Sequence, residues 1–547
     1  MVRLHGGLRS SAAAVVAVGT GALAGGALAD VPAPRQISVD PFTDTAGQHE
    51  TAVEPDSFSF GNTVVAVFQV GRMLSGGASG IGWASSRDGG RSWTSGVLPS
   101  LTVHGTPAGP FARVSDPVIA YDRVHGVWLA NVLAIREQGQ GLVSSLVVGR
   151  STDGVTWSGP VVVSPEETGL FTHDKNWIAC DNGAASPHAG RCYVAWTGAQ
   201  GAAMALSTSD DGGLTWSAAT TVPTAVGSGW QPVTRPDGAL VVVYEGSQTV
   251  EAVRSTDGGR TFGPRIVVSA LRVAAVPGMR TPSLPSVEVD AAGTIYAAWH
   301  DCRYRTGCDT NDIVFTSSPD GTRWTRARRV ATARTLGGRS HFVAGLGVDP
   351  STSGGQTRLA VAFYVATETC LSDGCGVQPR FIASADAGRT WSAVEVLAPI
   401  EATSSYPNTA GGRFAGDYIS TSFTNGGTAV PVFAAASAPF DGRFHQGVFA
   451  TAIPPLPAAT RPVALGAVHV TRTRTRLSAA ASITGDVFSP IVSCRLPGVR
   501  ARVVNARVFG GRAVCVWSLR PGRRGRGTIA VSTPEAEASR TFTFRAR

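Results

Sequence analysis

Short stretches in which apolar and polar residues alternate recur along most of the chain, and turn-forming residues separate them. A typical stretch has a short apolar strand, a turn with Asp or Gly, and a second strand rich in Val, Ala and aromatic residues. The segments that begin at Asp116 and Leu284 are examples. Alternation with a period of two residues is the pattern of antiparallel strands. Long helical periodicity is absent, so the pattern predicts an all-β fold.

A second pattern, of the form S-x-D-x-G-x-[ST]-[WF], occurs six times, and its second and fifth copies are one residue shorter. The copies span residues 85–93, 150–157, 208–216, 254–262, 317–324 and 384–391. In such a segment Ser and Asp side chains bond the backbone amides of a tight turn, Gly supplies a positive φ, and the terminal ring fills space between strands. Six near-copies in one chain indicate a structural repeat.

These segments resemble the Asp-box, or BNR repeat, of the sialidase-like superfamily, and the resemblance covers residues 36–453. It implies a β-propeller in which each box is the turn between the third and fourth strands of a four-stranded blade. The boxes would then belong to the architecture of the fold and not to its catalytic site.

Counting the strand pairs gives seven units, which start near Glu54, Asp116, Asp174, Gln231, Leu284, Phe342 and Phe414. The seventh unit has three strands and no box. A strand near residues 36–42 would supply its fourth strand and close the ring. We therefore expect seven blades. Six blades, the number in the sialidases of this superfamily, stay open as an alternative if the unit at Glu54 is an extension.

The two ends of the chain differ from this repeating part. Arg3 and Arg9 precede a run of small apolar residues that ends in an A-x-A tripeptide before Asp30, which predicts a secretory signal peptide over residues 1–29. We expect the propeller over 30–453 and a Pro/Ala linker over 454–462. Residues 463–547 again show strand patterns, with a Trp two residues after Cys515, and predict a small Ig-like β-sandwich.

The cysteines agree with export. The eight Cys form four pairs that are close in sequence: Cys180 and Cys192, Cys302 and Cys308, Cys370 and Cys375, and Cys494 and Cys515. An even count in a secreted chain predicts disulfides. Zinc is the alternative, but no C-x-x-C occurs and no His lies at ligand spacing from a pair. We expect a secreted protein with no metal and no cofactor.

Charge is concentrated at the C-terminus. The whole chain has a formal net charge of +9, whereas residues 461–547 contain 16 Arg, no Lys and three acidic residues, a net of +13. Such a module could attract anionic polymers, lipid headgroups or nucleic acid. The Arg residues are scattered singly without interleaved aromatics, which favours solvated strand faces. After the N-terminus no run of 18 apolar residues occurs. We expect a monomer with no nucleic-acid partner and no membrane span.

Ionisable residues recur where the strand order places one mouth of the channel, opposite the boxes. Before first strands stand Glu54, Arg113, Asp116, His173, Asp174, Lys175, Gln231, Arg280, His341, Arg413, Asp417 and Tyr418, and after second strands Glu245, His300, Asp301, Arg303, Tyr304 and Glu368. Lys175 is the only Lys in the chain, which indicates that a compact ammonium is needed there. A structural ion pair with Asp174 is the alternative.

The resemblance to sialidases implies specific roles for some of these residues. That family holds the carboxylate of a terminal sugar with three Arg, and it uses a Tyr nucleophile assisted by a Glu and an Asp acid/base. Arg113, Arg303 and Arg413 are the candidates for the clamp. The candidates for catalysis are Asp116, Glu245 and Tyr418, and further substrate contacts are assigned to Lys175, Asp174 and Asp417.

Two departures keep a second function open. The early Arg-Ile-Pro motif of the family is missing, and the sequence around Tyr418 matches no sialidase nucleophile motif. The expected function is therefore a secreted protein that acts on extracellular glycans or a cell-surface polymer, by exo-α-sialidase-type glycoside hydrolysis. The alternative is a non-catalytic propeller that binds carbohydrate or protein, because fold alone does not fix function.

Overall fold

The computed structural model describes residues 31–545 except 140, 169–171, 199–202, 331–337, 367–375, 457–463, 485–490, 498, 500, 510–511, 522 and 533–536. Within this part of the chain strands dominate, and the helices are three short 3-10 turns at Thr306–Cys308, Gly354–Gln356 and Thr403–Ser405. The prediction of an all-β fold is confirmed. The expected signal peptide, residues 1–29, lies outside the described residues.

Most strands group into consecutive antiparallel units of four. Unit 1 consists of Gln48–Phe60, Thr63–Arg72, Ala78–Ser86 and Thr94–Val97. Unit 2 consists of Arg113–Asp122, Val127–Gln138, Gly141–Ser151 and Val161–Thr168. Unit 3 consists of Trp177–Cys180, Cys192–Thr197, Ala203–Ser209 and Thr220–Val226.

The next three units repeat the same order. Unit 4 consists of Ser228–Thr234, Leu240–Glu245, Thr249–Ser255 and Ile266–Ala270. Unit 5 consists of Ser286–Val289, Ile295–Asp301, Asp312–Ser318 and Arg328–Arg329. Unit 6 consists of Ser340–Val348, Leu359–Ala366, Gly376–Ser384 and Glu395–Val396, and Glu401–Ala402 also pairs with its third strand.

Unit 7 combines both ends of this part of the chain. Its strands are Ser420–Phe423, Ala429–Phe440, Arg443–Ala450 and the N-terminal Arg35–Gln36, which pairs with the third. A short hairpin, Asn408–Thr409 with Gly412–Arg413, precedes it. The first strand of each unit contacts the first strand of the next, and that of unit 7 contacts that of unit 1. The first strands therefore stand in a closed cyclic order.

Apolar packing occurs between the units. Seven clusters of buried side chains each combine residues from two neighbouring units, one cluster for every neighbouring pair. One of them, for example, packs Val118 and Leu129 of unit 2 against Ile178 and Trp196 of unit 3. Because each sheet buries its faces only against its neighbours, the stability of one unit depends on the presence of the next.

The six repeated segments form six turns with one hydrogen-bond pattern, each between the third and fourth strands of units 1 to 6. In the first turn Ser86 Oγ accepts from Gly90 N at 2.9 Å, and Asp88 Oδ1 accepts from Arg91 N and Ser92 N at 3.0 and 2.9 Å. The equivalent carboxylates of the other turns likewise accept backbone amides; these are Asp153, Asp211, Asp257, Asp320 and Asp386.

Three of the four expected disulfides join described residues. Cys180 and Cys192 face each other on adjacent strands of unit 3, Cys302 is bonded to Cys308, and Cys494 is bonded to Cys515. The fourth expected pair, Cys370 and Cys375, lies outside the described residues. No helix among the described residues combines the length and the hydropathy that a membrane crossing needs.

The C-terminal segment forms two sheets of its own. One has the order Ala464–Arg472, Arg476–Thr484, Arg512–Leu519 and Ala501–Phe509, and the other has Ile491–Arg495, Gly525–Ser532 and Glu537–Phe544. Trp517 and Phe542 belong to a buried cluster that both sheets share, and the Cys494–Cys515 disulfide joins the two sheets.

The terminal rings of the repeated turns are buried to different extents. Trp391 is 7% exposed and meets Phe315 of unit 5 edge-to-face at 5.4 Å, whereas Trp216 is only half-buried. We expect Trp391→Ala to lower the free energy of unfolding by roughly 3–5 kcal/mol, because it leaves a cavity between two units. Trp216→Ala should cost clearly less. Urea unfolding of both variants checks this, and equal losses would contradict it.

Candidate functional site

Units 1, 2 and 3 each place a charged residue in the left-handed backbone region at or just before their first strand. These are Glu54, Asp116 and Lys175, with φ of 53°, 48° and 56°. At Glu54 and Asp116 the register between the first and second strands shifts, as at a β-bulge. A non-glycine residue in this region is strained by about 1 kcal/mol or more, and such positions concentrate at functional sites.

Asp116 and Lys175 line one end of a cavity of about 440 Å³, and Glu54 lies next to Asp417 at the same end. Residues from all seven units line the cavity, including the first strand of every unit. Since the first strands follow one another in a closed cyclic order, the cavity lies along the common axis of the units. One end of the cavity carries Asp116, Lys175, Asp417 and Tyr418, and we call this end the mouth.

Asp417 is the centre of the mouth. Its side chain is fully buried, and Oδ2 accepts a hydrogen bond from Lys175 Nζ at 2.7 Å. The Arg280 guanidinium binds the same carboxylate through Nε, at 3.0 Å, and through Nη2. Burial alone would raise the pKa of Asp417, but the two cations and their hydrogen bonds hold it below the ordinary value. Asp417 is thus a buried, ionised carboxylate.

Glu54 lies next to Asp417, and its pKa is shifted in the opposite direction. Its Oε1 accepts from the backbone N–H of Asp417 at 3.2 Å, and its Oε2 accepts from Gln69 Nε2. Burial, followed by the charge of Asp417, raises the pKa of Glu54 to about 7. Two neighbouring carboxyl groups therefore differ in protonation near neutral pH.

Lys175 carries the ammonium that the sequence singles out. Its side chain is 12% exposed, and Nζ lies 4.0 Å from Asp116 Oδ2 in addition to its bond with Asp417. Burial acts to lower the pKa of Lys175, but the surrounding carboxylates raise it well above the ordinary value. The alternative of an ion pair with Asp174 is not what the geometry shows, since the shortest ion pair of Lys175 is with Asp417. Burial raises the pKa of Asp174 to about 6.

Asp116 and Tyr418 lie side by side but do not bond each other. Asp116 accepts from Ser115 Oγ at 2.8 Å and from the backbone N–H of Lys175 at 3.1 Å. The Tyr418 hydroxyl donates to Pro117 O at 3.1 Å, and the ring meets Trp177 edge-to-face at 5.2 Å. Burial raises the pKa of Tyr418 well above its ordinary value. The phenol is therefore held as a neutral hydrogen-bond donor.

Glu245 ends the second strand of unit 4 and is half-buried. Burial, followed by the charge of Asp417, raises its pKa to about 7. It makes no hydrogen bond to Tyr418, whose hydroxyl is engaged by Pro117. The expected Tyr–Glu pair is therefore not assembled among the described residues.

The three arginines expected to form a clamp have separate partners. Arg113 donates to Ser75 Oγ at 2.7 Å, and Arg413 donates to Tyr406 O at 2.9 Å. Arg303 binds Asp301 and donates to Ser269 Oγ at 2.8 Å. None of the three is among the described residues that line the cavity. Arg280 does not line the cavity either, but it differs from these three because it binds Asp417 at the mouth; its backbone N–H bonds to Arg413 O at 2.9 Å.

Arg72 is a member of the site that the sequence pattern misses. It is 3% exposed, donates to Met73 O and Gly77 O at 2.6 and 2.7 Å, and lies 5.0 Å from the centre of the Phe414 ring. Arg280 also lies 5.0 Å from that ring. Glu54 and Arg280 stand at predicted mouth positions without an assigned role. The sequence contains a pattern that could have identified Glu54. Glu54 and Asp116 are each followed by Pro, at corresponding positions of units 1 and 2.

No group of three or more His, Cys, Asp or Glu side chains arranged to hold a metal ion occurs in the described part of the chain. The mouth and the residues that bond it offer carboxyl groups in different protonation states, an ammonium, a guanidinium and two aromatic rings.

Comparisons with known proteins give only distant structural similarity. No protein-family model and no curated protein matches the chain. Solved structures similar to it include a PL25 polysaccharide lyase, an ulvan lyase, at 11% identity over 75% of this chain and 96% of that chain, with a TM-score of 0.41. The α-L-arabinofuranosidase Arb93A from Fusarium graminearum is 11% identical over 78% and 98%, with a TM-score of 0.39. The NanB sialidase from Streptococcus pneumoniae is 12% identical over 78% and 71%, with a TM-score of 0.35. Similarity at this level does not assign the chain to a family.

The raised pKa of Glu54 has a consequence for stability. Between about pH 4.5 and 7 the unfolded chain releases this proton while the folded chain keeps it, so the folded state loses stability as pH rises through this range. Glu54→Gln removes this loss and keeps groups that can bond Asp417 N and Gln69. We expect the free energy of unfolding of the variant, relative to the wild type, to rise from pH 5 to pH 7.5 by up to about 3 kcal/mol.

Urea unfolding at the two pH values measures this difference, with the exposed Glu137→Gln as the matched control. A difference between Glu54→Gln and wild type that stays constant with pH would contradict a raised pKa at Glu54.

Proposed function

We propose that the protein is a secreted glycoside hydrolase that acts on extracellular glycans at the mouth of its axial cavity. The observation that carries this proposal is a group of neighbouring carboxyl groups whose pKa values are shifted in opposite directions. Two cations lower the pKa of Asp417, whereas burial, followed by the charge of Asp417, raises those of Glu54 and Glu245. Asp417 is kept ionised, while Glu54 and Glu245 have pKa values of about 7. Such a separation is what acid–base catalysis with two carboxyl groups requires.

Within this proposal we assign a role to each carboxyl group from its position and the burial of its side chain. Glu245 is half-buried and has a pKa raised to about 7, so it is the candidate general acid that protonates the leaving oxygen. Asp116 lines the cavity and is the candidate for the second catalytic carboxyl group, as nucleophile or base. Asp417 is fully buried between two cations, so it acts through its charge and not by contact with the substrate.

The lining of the mouth is suited to a sugar ring. Trp177 and Tyr418 supply aromatic surface, and Asn176 and Gln231 supply amide groups beside the charged residues of the lining. A concave site with a few directed polar groups is typical of small-ligand recognition.

The proposal includes the organisation of the chain. We take units 1 to 7 as seven blades of one propeller over residues 30–453, with the six repeated turns as Asp-boxes. Residues 454–462 would be the linker and 463–547 a β-sandwich, and the protein would be exported as a monomer after removal of residues 1–29. The disulfides support export, because such bonds persist in oxidising compartments.

A non-catalytic glycan-binding propeller is the second candidate, and one observation favours it. The Tyr418 hydroxyl is buried and bonded to Pro117 O, and the three candidate clamp arginines have other partners, so the sialidase machinery is not assembled. The proposal therefore does not assume that sialic-acid-type bonds are cleaved, and a sialoside is one of the substrates to be tested.

Turnover on a panel of fluorogenic glycosides, including a sialoside and a glucosaminide, tests the proposal. We expect Glu245→Gln and Asp116→Asn each to lower kcat about 10²- to 10⁴-fold on the substrate that the wild type cleaves, since proton transfer contributes roughly this much. Glu137→Gln should retain wild-type turnover. A wild-type protein that binds glycans in an array without cleaving any glycoside would favour the second candidate instead.

A further inference from the structure

The charged residues that line the axial cavity are strongly unbalanced. Five carboxyl groups and one ammonium face it, and no Arg or His is among its described lining residues. The lining set is Asp56, Asp116, Lys175, Glu288, Asp290 and Asp417. The one ammonium lies 2.7 Å from Asp417 and 4.0 Å from Asp116, and it forms no ion pair with Asp56, Glu288 or Asp290.

Some of the remaining carboxyl groups are satisfied by the protein itself. Asp290 accepts from the backbone of its own turn and from Thr357 Oγ1 at 2.9 Å. Asp116 accepts from Ser115 and from Lys175 N. Two groups deeper in the cavity, Asp56 and Glu288, have no cationic partner among the described residues.

Glu288 and Asp56 face the same space from units 5 and 1. The Glu288 carboxyl makes no hydrogen bond or ion pair to any described residue. Asp56 accepts hydrogen bonds from neutral groups, the backbone N–H of Ile119 at 2.9 Å, the backbone of Ser57 and the Ser420 side chain, but forms no ion pair with a described residue. Burial, followed by the charge of Asp56, raises the pKa of Glu288 to about 8. Burial also raises the pKa of Asp56 to about 7.

Unsatisfied amides in the same wall provide a second, independent observation. Gln231 is 7% exposed and lines the cavity, yet its side-chain amide makes no hydrogen bond to a described residue. Asn176 is 1% exposed and also lines the cavity; its Nδ2 donates to Asp116 O and Asn131 Oδ1, whereas its Oδ1 is a buried acceptor without a partner among the described residues. Buried polar groups in folded proteins are nearly always bonded, so groups left open in a cavity wall point to a ligand.

We propose that the axial cavity binds a sugar that carries an ammonium group, with the cation placed against Asp56 and Glu288 and the hydroxyl groups bonded by Gln231 and Asn176. The proposal rests on the proposed function, because it names the class of glycan that the mouth would process. An ammonium supplies the missing positive charge and several donors, whereas an anionic sugar would enter a cavity whose only cation is already paired.

Binding of a cation here is coupled to protons. The titratable groups that face Glu288 across the cavity are Asp56, Asp116, Lys175, Asp290, Asp417 and the buried Tyr418. Below about pH 7–8 Glu288 and Asp56 hold protons, and a bound ammonium favours their ionised forms. Binding at pH 6.5 should therefore release protons to the buffer.

Isothermal titration calorimetry at pH 6.5 tests the inference with three probes. A glucosamine disaccharide carries the charge, its N-acetylated twin has the same rings without charge, and sialyllactose is anionic. We expect the glucosamine disaccharide to bind at least about tenfold more tightly than its twin. Repeating the titration in buffers of different ionisation enthalpy should reveal the proton release. Glu288→Gln should abolish both the preference for the glucosamine disaccharide and the release of protons on binding, while Glu137→Gln should change neither.

Each outcome decides the question. Loss of the preference in Glu288→Gln, with an unchanged melting temperature, supports the inference, and Asp56→Asn serves as a second variant if Glu288→Gln does not fold. Sialyllactose binding as tightly as the glucosamine disaccharide, or a preference that survives Glu288→Gln, overturns the inference but leaves glycan processing standing. Absence of binding and of turnover for every probe overturns the proposed function as well.

Discussion

The mouth of this protein depends on one buried negative charge, that of Asp417. A fully buried carboxylate costs several kcal/mol unless cations and hydrogen bonds compensate it. Lys175 of unit 3 and Arg280, in the segment before unit 5, provide that compensation for a residue of unit 7. Residues 242 and 137 positions apart in sequence are thereby fixed to one another across the axis of the ring.

The other features of the mouth follow from this charge. It contributes to the raised pKa values of Glu54 and Glu245, so an ionised carboxylate and proton-holding carboxyl groups coexist within one site. It also occupies Lys175, so the only ammonium of the cavity lining is not free to receive an anion. Both the proposed acid–base chemistry at the mouth and the proposed cationic ligand in the cavity are argued from this interaction.

The parts of this structure that the sequence predicts are those with local patterns. The all-β class follows from the period-2 alternation, and three disulfides follow from cysteines that are near each other in sequence. Lys175 could be singled out because its residue type is otherwise absent. Asp417 was found by its position before a first strand.

The parts that the sequence does not predict depend on contacts across the ring. Arg72 looks like the end of an ordinary strand, and only the structure shows it buried on the ring of Phe414. Arg113, Arg303 and Arg413 fit the family's clamp by residue type, but local carbonyls and hydroxyls take up their donors. Which arginine binds Asp417 depends on the path of the loop that carries it, and no local sequence pattern predicts that path.

A double-mutant cycle on Asp417 and Lys175 tests most directly whether this buried charge pair holds the mouth together. The measured quantity is the free energy of unfolding of the wild type, of Asp417→Asn, of Lys175→Met and of the double variant. The interaction between the two residues predicts a cost of roughly 3–5 kcal/mol for each single change, and a loss in the double variant that is far less than the sum. Asp417→Asn leaves two buried cations without their carboxylate, and Lys175→Met leaves Asp417 with Arg280 alone. Losses that add within about 0.5 kcal/mol would show that the two residues are energetically independent, and they would contradict this prediction.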